Sequence, residues 1–88
     1  MRRFVWDNKK AACNVRKHRV SFLEALGVLA DPLALYTSDP DHPDRELAIG
    51  SSTGGRLLVV VFCEQDHTVR IISAREANRN ERKEYEEG

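Results

Sequence analysis

The sequence has no excess of charge, little cysteine, few aromatic residues and no long apolar run. Each shortage narrows what the chain can be. Lys and Arg number 14 and Asp and Glu number 14, so the formal net charge is zero. That excludes a polycation that coats nucleic acid or an anionic membrane through bulk charge. It leaves room for a local basic site, because a sum hides its distribution. The longest apolar run, Leu57 to Cys63, spans seven residues, against the roughly 20 that cross a bilayer as a helix. No apolar stretch follows Met1-Arg2-Arg3-Phe4, so a secretory signal is not expected. Cys13 and Cys63 are far apart and lack C-x-x-C spacing. They fit free, partly buried thiols in a reducing compartment better than a disulfide frame.

What is present points to one small folded domain over residues 1–88. The hydrophobic fraction, 41%, is too high for a disordered chain. A core of this size is modest, so stability leans on good packing or on a partner. There is no internal repeat and no low-complexity tract.

Phe4-Val5-Trp6 reads as a short strand. Asp7 is a good helix N-cap before the Lys-, Ala- and Arg-rich stretch Asn8 to His18. Ser21-Phe22-Leu23-Glu24 has the form of a capping box and opens a second helix with Phe22, Ala25, Leu26 and Leu29 on one face, stopped at Asp31-Pro32. Leu33 to Thr37, Arg45 to Gly50, Arg56 to Glu64 and Thr68 to Ser73 read as strands. The third of these is apolar on both faces and is expected at the sheet centre. Ser73-Ala74-Arg75-Glu76 suggests a second capping box, with a mostly polar helix running to about Glu87. The order β-α-α-β-β-β-β-α, with short turns between strands, predicts an α+β fold. It consists of an antiparallel sheet packed by N-terminal helices and a C-terminal helix.

The zero sum resolves into regions. Residues 1–20 carry seven Lys or Arg and one Asp, and residues 21–74 carry three Arg and eight Asp or Glu. Arg70 stands alone in an apolar strand and calls for a carboxylate or phosphate partner. If the last helix opens at Ser73, Arg75, Arg79 and Arg82 share one face of it. Lys17, His18, Arg45, Arg70 and Arg75 are candidates to converge on a phosphate, since a guanidinium offers a flat fork of donors to its oxygens. RNA supplies its own nucleophile, the 2′-hydroxyl. A ribonuclease then needs a proton acceptor, cations at the phosphorane and a proton donor for the leaving oxygen. His18 suits either proton role, Glu64 suits the base, and Tyr85 suits base stacking or proton donation. The bland alternative for Lys17-His18 is an interaction with the helix dipole. The loop Asp39 to Asp44 lacks the glycine and glutamate of a calcium loop, His67 has no second ligand at suitable spacing, and Gly54-Gly55 is a hairpin turn without a following G-K-[ST]. No metal site and no cofactor are expected.

Several ordered segments resemble one family. Trp6-Asp7, the Lys- and Ala-rich helix after it, and Lys17-His18-Arg19-Val20-Ser21-Phe22-Leu23-Glu24-Ala25 are similar to the W-D-x-x-K-A-x-x-N-x-x-K-H-G-V-S-F-E-E-A opening of BrnT-type toxins. Asp31-Pro32, Asp39 to His42, Arg45 before Gly50, and Gly55-Arg56-Leu57-Leu58 also fit, as do Arg70-Ile71-Ile72-Ser73-Ala74-Arg75, Glu81-Arg82 and Tyr85-Glu86. The resemblance implies a RelE-like fold and a cytoplasmic, metal-independent ribonuclease toxin of a bacterial type II toxin-antitoxin system that inhibits translation. Its implied partners are RNA and a cognate BrnA-like ribbon-helix-helix antitoxin, with operator DNA reached only through that complex. By position, Lys17, His18, Arg45, Arg70 and Arg75 are the implied site, with Glu81, Arg82 and Tyr85 supporting. Arg19 stands where the family pattern has Gly, and Asp44 where it has Glu. Two other readings compete. One is a non-catalytic module, with the first two helices as a helix-turn-helix on DNA; the other is a degenerate toxin that only binds its antitoxin.

Overall fold

A computed structural model describes residues 2–88. The elements are β1 (Arg3–Val5), α1 (Asn8–His18), α2 (Phe22–Leu29), β2 (Leu35–Ser38), β3 (Glu46–Ser51), β4 (Leu57–Gln65), β5 (Thr68–Glu76) and α3 (Arg79–Glu87). They form a five-stranded sheet in the order β1-β5-β4-β3-β2. β2 to β5 make the expected antiparallel meander with β4 at the centre, whereas β1 adds to β5 in parallel. The β4–β5 turn places Asp66 and His67 both at positive φ, the hairpin geometry that follows strand twist.

One face of the sheet carries α1 and α2. Phe22, Ala25, Val28 and Leu29 of α2 pack with Leu58, Val60, Phe62, Val69, Ile71 and Ala74 in one buried cluster. Each large apolar side chain buried there contributes roughly 1.5–3 kcal/mol. Ile49 and Val59 are buried on the other face, where α3 crosses by way of β3. Among the described residues no helix is long and apolar enough to cross a membrane.

Local signals held at some ends and lost at others. Asp7 caps α1 as expected, its carboxylate accepting from the amides of Lys9 and Lys10 at 2.8 and 3.1 Å. Ser21 accepts from the Glu24 amide at 3.0 Å, but the Glu24 side chain turns away from its cap. Its carboxylate takes Arg56 Nε at 3.0 Å and the Ser52 hydroxyl at 2.6 Å. The expected helix start at Ser73 is not found. Ser73 to Glu76 continue β5 opposite Val61 to Leu58, where sheet pairing and the complete burial of Ala74 outweigh a local cap. The reciprocal box forms instead between Asn78 and Glu81, so Arg75 belongs to a strand and not to the helix face of Arg79 and Arg82.

Two expected results follow from these ends. Arg19 ends α1 in the left-handed region (φ 58°), which favours glycine, while its amide bonds Val15 and its carbonyl accepts from Arg56. Arg19→Gly keeps both backbone contacts and is expected to raise stability by up to about 1 kcal/mol, seen as a higher urea midpoint at unchanged slope. Glu24 titrates below its ordinary 4.5 because Arg56 and Ser52 donate to its carboxylate. The folded value is the lower one, so this stabilisation is complete above the ordinary glutamate range and fades as pH falls through the folded value. Glu24→Gln is expected to lower the urea midpoint at pH 7 and to approach wild type as pH falls below the folded value of Glu24.

Candidate functional site

The candidate cations are arranged by β5. Cross-strand register puts Arg70 beside Cys63 and Val5, Ser73 beside Val61, and Arg75 beside Val59. All these lie on the face opposite α1 and α2. Side chains alternate along a strand, so two residues an odd number of positions apart belong on opposite faces. Arg70 and Arg75 break that rule through a bulge: Ile71 pairs with Phe62 and Ser73 with Val61, leaving Ile72 unpaired. One extra residue resets the alternation and brings both guanidinium groups to one face. Arg70 is therefore exposed on the open face, not buried as an apolar strand neighbourhood suggests.

Lys17 and His18 reach the same strand from α1. With Lys10, Cys13, Asn14, Ile72 and Ser73 they line a shallow depression of about 170 Å³. Ser73 is the residue of the Arg70–Arg75 face that borders the α1 group. Asn14 fixes the helix against the strand: its Nδ2 donates to the carbonyls of Ala74 and Val20 at 2.8 and 2.9 Å, and its Oδ1 accepts from the Ala74 amide at 3.1 Å. β1 spans only three residues and pairs with β5 as far as Arg70. The edge of β5 beyond it is open, and Asn14 takes the place of a missing strand there.

The other candidates sit apart from this group. Arg45 is half-buried one residue before β3, at the Phe62–Cys63 end of the sheet. Glu64 pairs across with Val69, so it stands on the helix side, where it meets Arg2 at 3.2 Å. Arg70 and Glu64 therefore face opposite ways. Arg82 is exposed on α3. The Tyr85 hydroxyl donates to Asp31 Oδ2 at 2.6 Å, and Asp31 also accepts from the amides of Ser51 and Leu33. That carboxylate raises the pKa of Tyr85, while the donated bonds hold Asp31 below its ordinary value. Glu81 grips Arg75 through two parallel bonds of 2.8 Å, which lowers the pKa of Glu81 and raises that of Arg75. α3 buries no residue completely, so these polar contacts are its main tethers.

Among the described residues ion pairs are made by Arg2, Arg56 and Arg75, and none by Lys17, His18, Arg45 or Arg70. Among them, too, no three His, Cys, Asp or Glu side chains gather as a metal site. Asp39 instead accepts from the Asp41 amide in its own loop. Cys13 and Cys63 are free thiols. Sequence reasoning gave no part in the site to Ser73, Ile72 or Lys10. The closing motif contained the first two, but nothing local marks the bulge that aims them. The helix-turn-helix reading is not supported, because α2 is spent on the core and Glu24 is held by Arg56.

The fold and the sequence match known proteins. A crystal structure of the Brucella abortus ribonuclease toxin BrnT superposes with a TM-score of 0.73 at 27% identity, covering 90% of this chain and 100% of that one. A search of curated protein sequences finds no match. Residues 6–81 match the family model described as the ribonuclease toxin, BrnT, of type II toxin-antitoxin systems. The chain belongs to the BrnT family of ribonuclease toxins.

Proposed function

We propose that this chain is a single-domain cytoplasmic endoribonuclease toxin that cuts RNA by attack of the 2′-hydroxyl on the adjacent phosphate, without a metal. The observation that carries this reading is the bulge at Ile72. It sets Arg70 and Arg75 on one face, and Ser73 of the same strand lines the depression that holds Lys17 and His18. Arg70, which forms no ion pair among the described residues, takes the scissile phosphate oxygens and stabilises the charge that grows on the phosphorane. His18 and Lys17 handle protons on the α1 side, one accepting from the 2′-hydroxyl and the other serving the leaving 5′-oxygen. Glu81 holds the Arg75 fork in a fixed plane, so Arg75 is a positioned cation with free edges, and Tyr85 keeps α3 in place through Asp31. Arg45 and Arg82 serve the passing strand of RNA at a distance from the scissile bond. Glu64 faces away from Arg70 and takes no part in this scheme.

A BrnA-like ribbon-helix-helix antitoxin neutralises the toxin and carries the complex to operator DNA. The test is purified chain incubated with total cellular RNA in excess chelator, beside induced expression in bacteria. Cleavage in chelator together with arrested growth supports the reading. Intact RNA with unimpaired growth overturns it in favour of a degenerate toxin.

A further inference from the structure

Away from β5, on the outer side of the two N-terminal helices, lies a second surface. α1 and α2 enclose an open groove of about 230 Å³. Its floor is Phe22 and Trp6, set edge to face at 6.0 Å, and its walls are Ala11, Ala12, Val15 and Leu23. Val15 is 43% exposed and Leu23 70% exposed, both large for apolar side chains. The rim is basic. Lys9 and Arg16 sit one turn either side of Ala12, and Arg19 follows Val15 by one turn. From Asn8 to Val20 there is no acidic residue, and none of these three cations forms an ion pair among the described residues.

We infer that this groove is the docking site for an acidic amphipathic helix of a protein partner, which for a toxin of this family is supplied by its antitoxin. The inference rests on the reading that such an antitoxin binds the chain directly. An apolar trough bordered by unpaired cations is complementary to a helix with apolar anchors at i, i+3, i+4 and i+7 and carboxylates beside them. A second copy of the chain fits poorly. A two-fold contact through this groove sets α1 against α1 and brings like charges together. RNA fits poorly too, because the groove is lined mainly by apolar side chains and Trp6 is half-buried against Phe22, not standing free as a platform for stacking bases. The groove also differs from the proposed cleavage site in chemistry: one is an apolar trough, the other a set of cations around a polar strand.

Trp6 is the only tryptophan, so its emission reports on the groove. The probe is a synthetic helical peptide with leucines at i, i+3, i+4 and i+7 and glutamates between them. A matched peptide with lysines and a short single-stranded RNA serve as competitors. The acidic peptide is expected to shift Trp6 emission saturably. Leu23→Glu and Val15→Glu, both at exposed positions, are expected to weaken binding by at least about tenfold with unchanged circular dichroism. Leu33→Glu, equally exposed but outside the groove, is expected to bind as wild type does. The inference is overturned if millimolar acidic peptide gives no saturable shift, or if the lysine peptide binds as well. It is also overturned if the RNA gives the same shift, or if the chain forms a dimer that Leu23→Glu abolishes. RNA cleavage is read in parallel, and Leu23→Glu is expected to cut as wild type does. A chain that cuts RNA but ignores the peptide sinks the docking site alone. A chain that binds the peptide but spares RNA sinks the ribonuclease reading alone.

Discussion

Asn14→Leu is expected to be the most destabilising single substitution of a polar residue in this chain. Asn14 is 5% exposed, and its amide satisfies the Ala74 amide, the Ala74 carbonyl and the Val20 carbonyl. Leucine has similar bulk and no polar atom, so all these backbone groups lose their partner in a site closed to water. A buried group left unpaired costs about 1–3 kcal/mol, and the combined loss is expected near 4 kcal/mol. That is a large share of the ~5–15 kcal/mol typical of a whole domain. Thermal unfolding is expected to drop by more than about 15 °C, given roughly 4–8 °C per kcal/mol at this size. Asn14→Asp separates hydrogen bonding from volume. The carboxylate still accepts from the Ala74 amide but faces two carbonyl oxygens, so burial and repulsion both favour its protonated form. The deficit of that variant is expected to shrink as pH is lowered from 7 to 4, whereas the deficit of Asn14→Leu stays constant. Equal deficits across that range overturn the assignment of Asn14 as a substitute strand edge.

Asn14 also shows where sequence reasoning stops. Its position is part of the opening pattern of the family, yet nothing within α1 says that it must be buried. The need arises because β1 ends at Val5 and leaves the edge of β5 bare, which is a fact about two distant segments. Local features were legible. Asp7 caps α1, Phe22 and Ala25 face the core, and β4, apolar on both faces, takes the centre of the sheet. Ser73 to Glu76 carried a local helix signal that pairing with β4 overruled. The same pairing created the bulge at Ile72. Without it Arg70 and Arg75 belong to opposite faces, so alternation alone assigns the candidate site wrongly. The candidate residues were legible as chemistry, and their placement was not. Arg70 and Arg75 share the face of β5 opposite α1, Lys17 and His18 line the α1 side beside Ser73, and Glu64 turns to the helix side because its strand partner is the buried Val69.

Arg70→Ala is expected to give the largest loss of activity with the least damage to the fold. Arg70 is exposed and forms no ion pair among the described residues, so its removal is expected to change stability by less than about 0.5 kcal/mol. Arg75→Ala is a poorer test, since it also deprives Glu81 of its partner and loosens α3. If Arg70 stabilises the phosphorane, RNA cleavage falls about 10²–10³-fold in kcat, as when one transition-state donor is removed elsewhere. If Arg70 only holds the RNA backbone, KM rises and kcat is unchanged. Salt dependence supplies a second measure, because each lost phosphate contact lowers the slope of log affinity against log salt by about 0.7 for a single strand. Arg70→Lys keeps the charge and loses the planar fork. It is expected to retain binding and salt slope but to recover little of kcat, because a point charge does not span two phosphate oxygens. Full activity in Arg70→Ala, with circular dichroism and melting unchanged, removes Arg70 from the site and with it the role assigned to the Ile72 bulge.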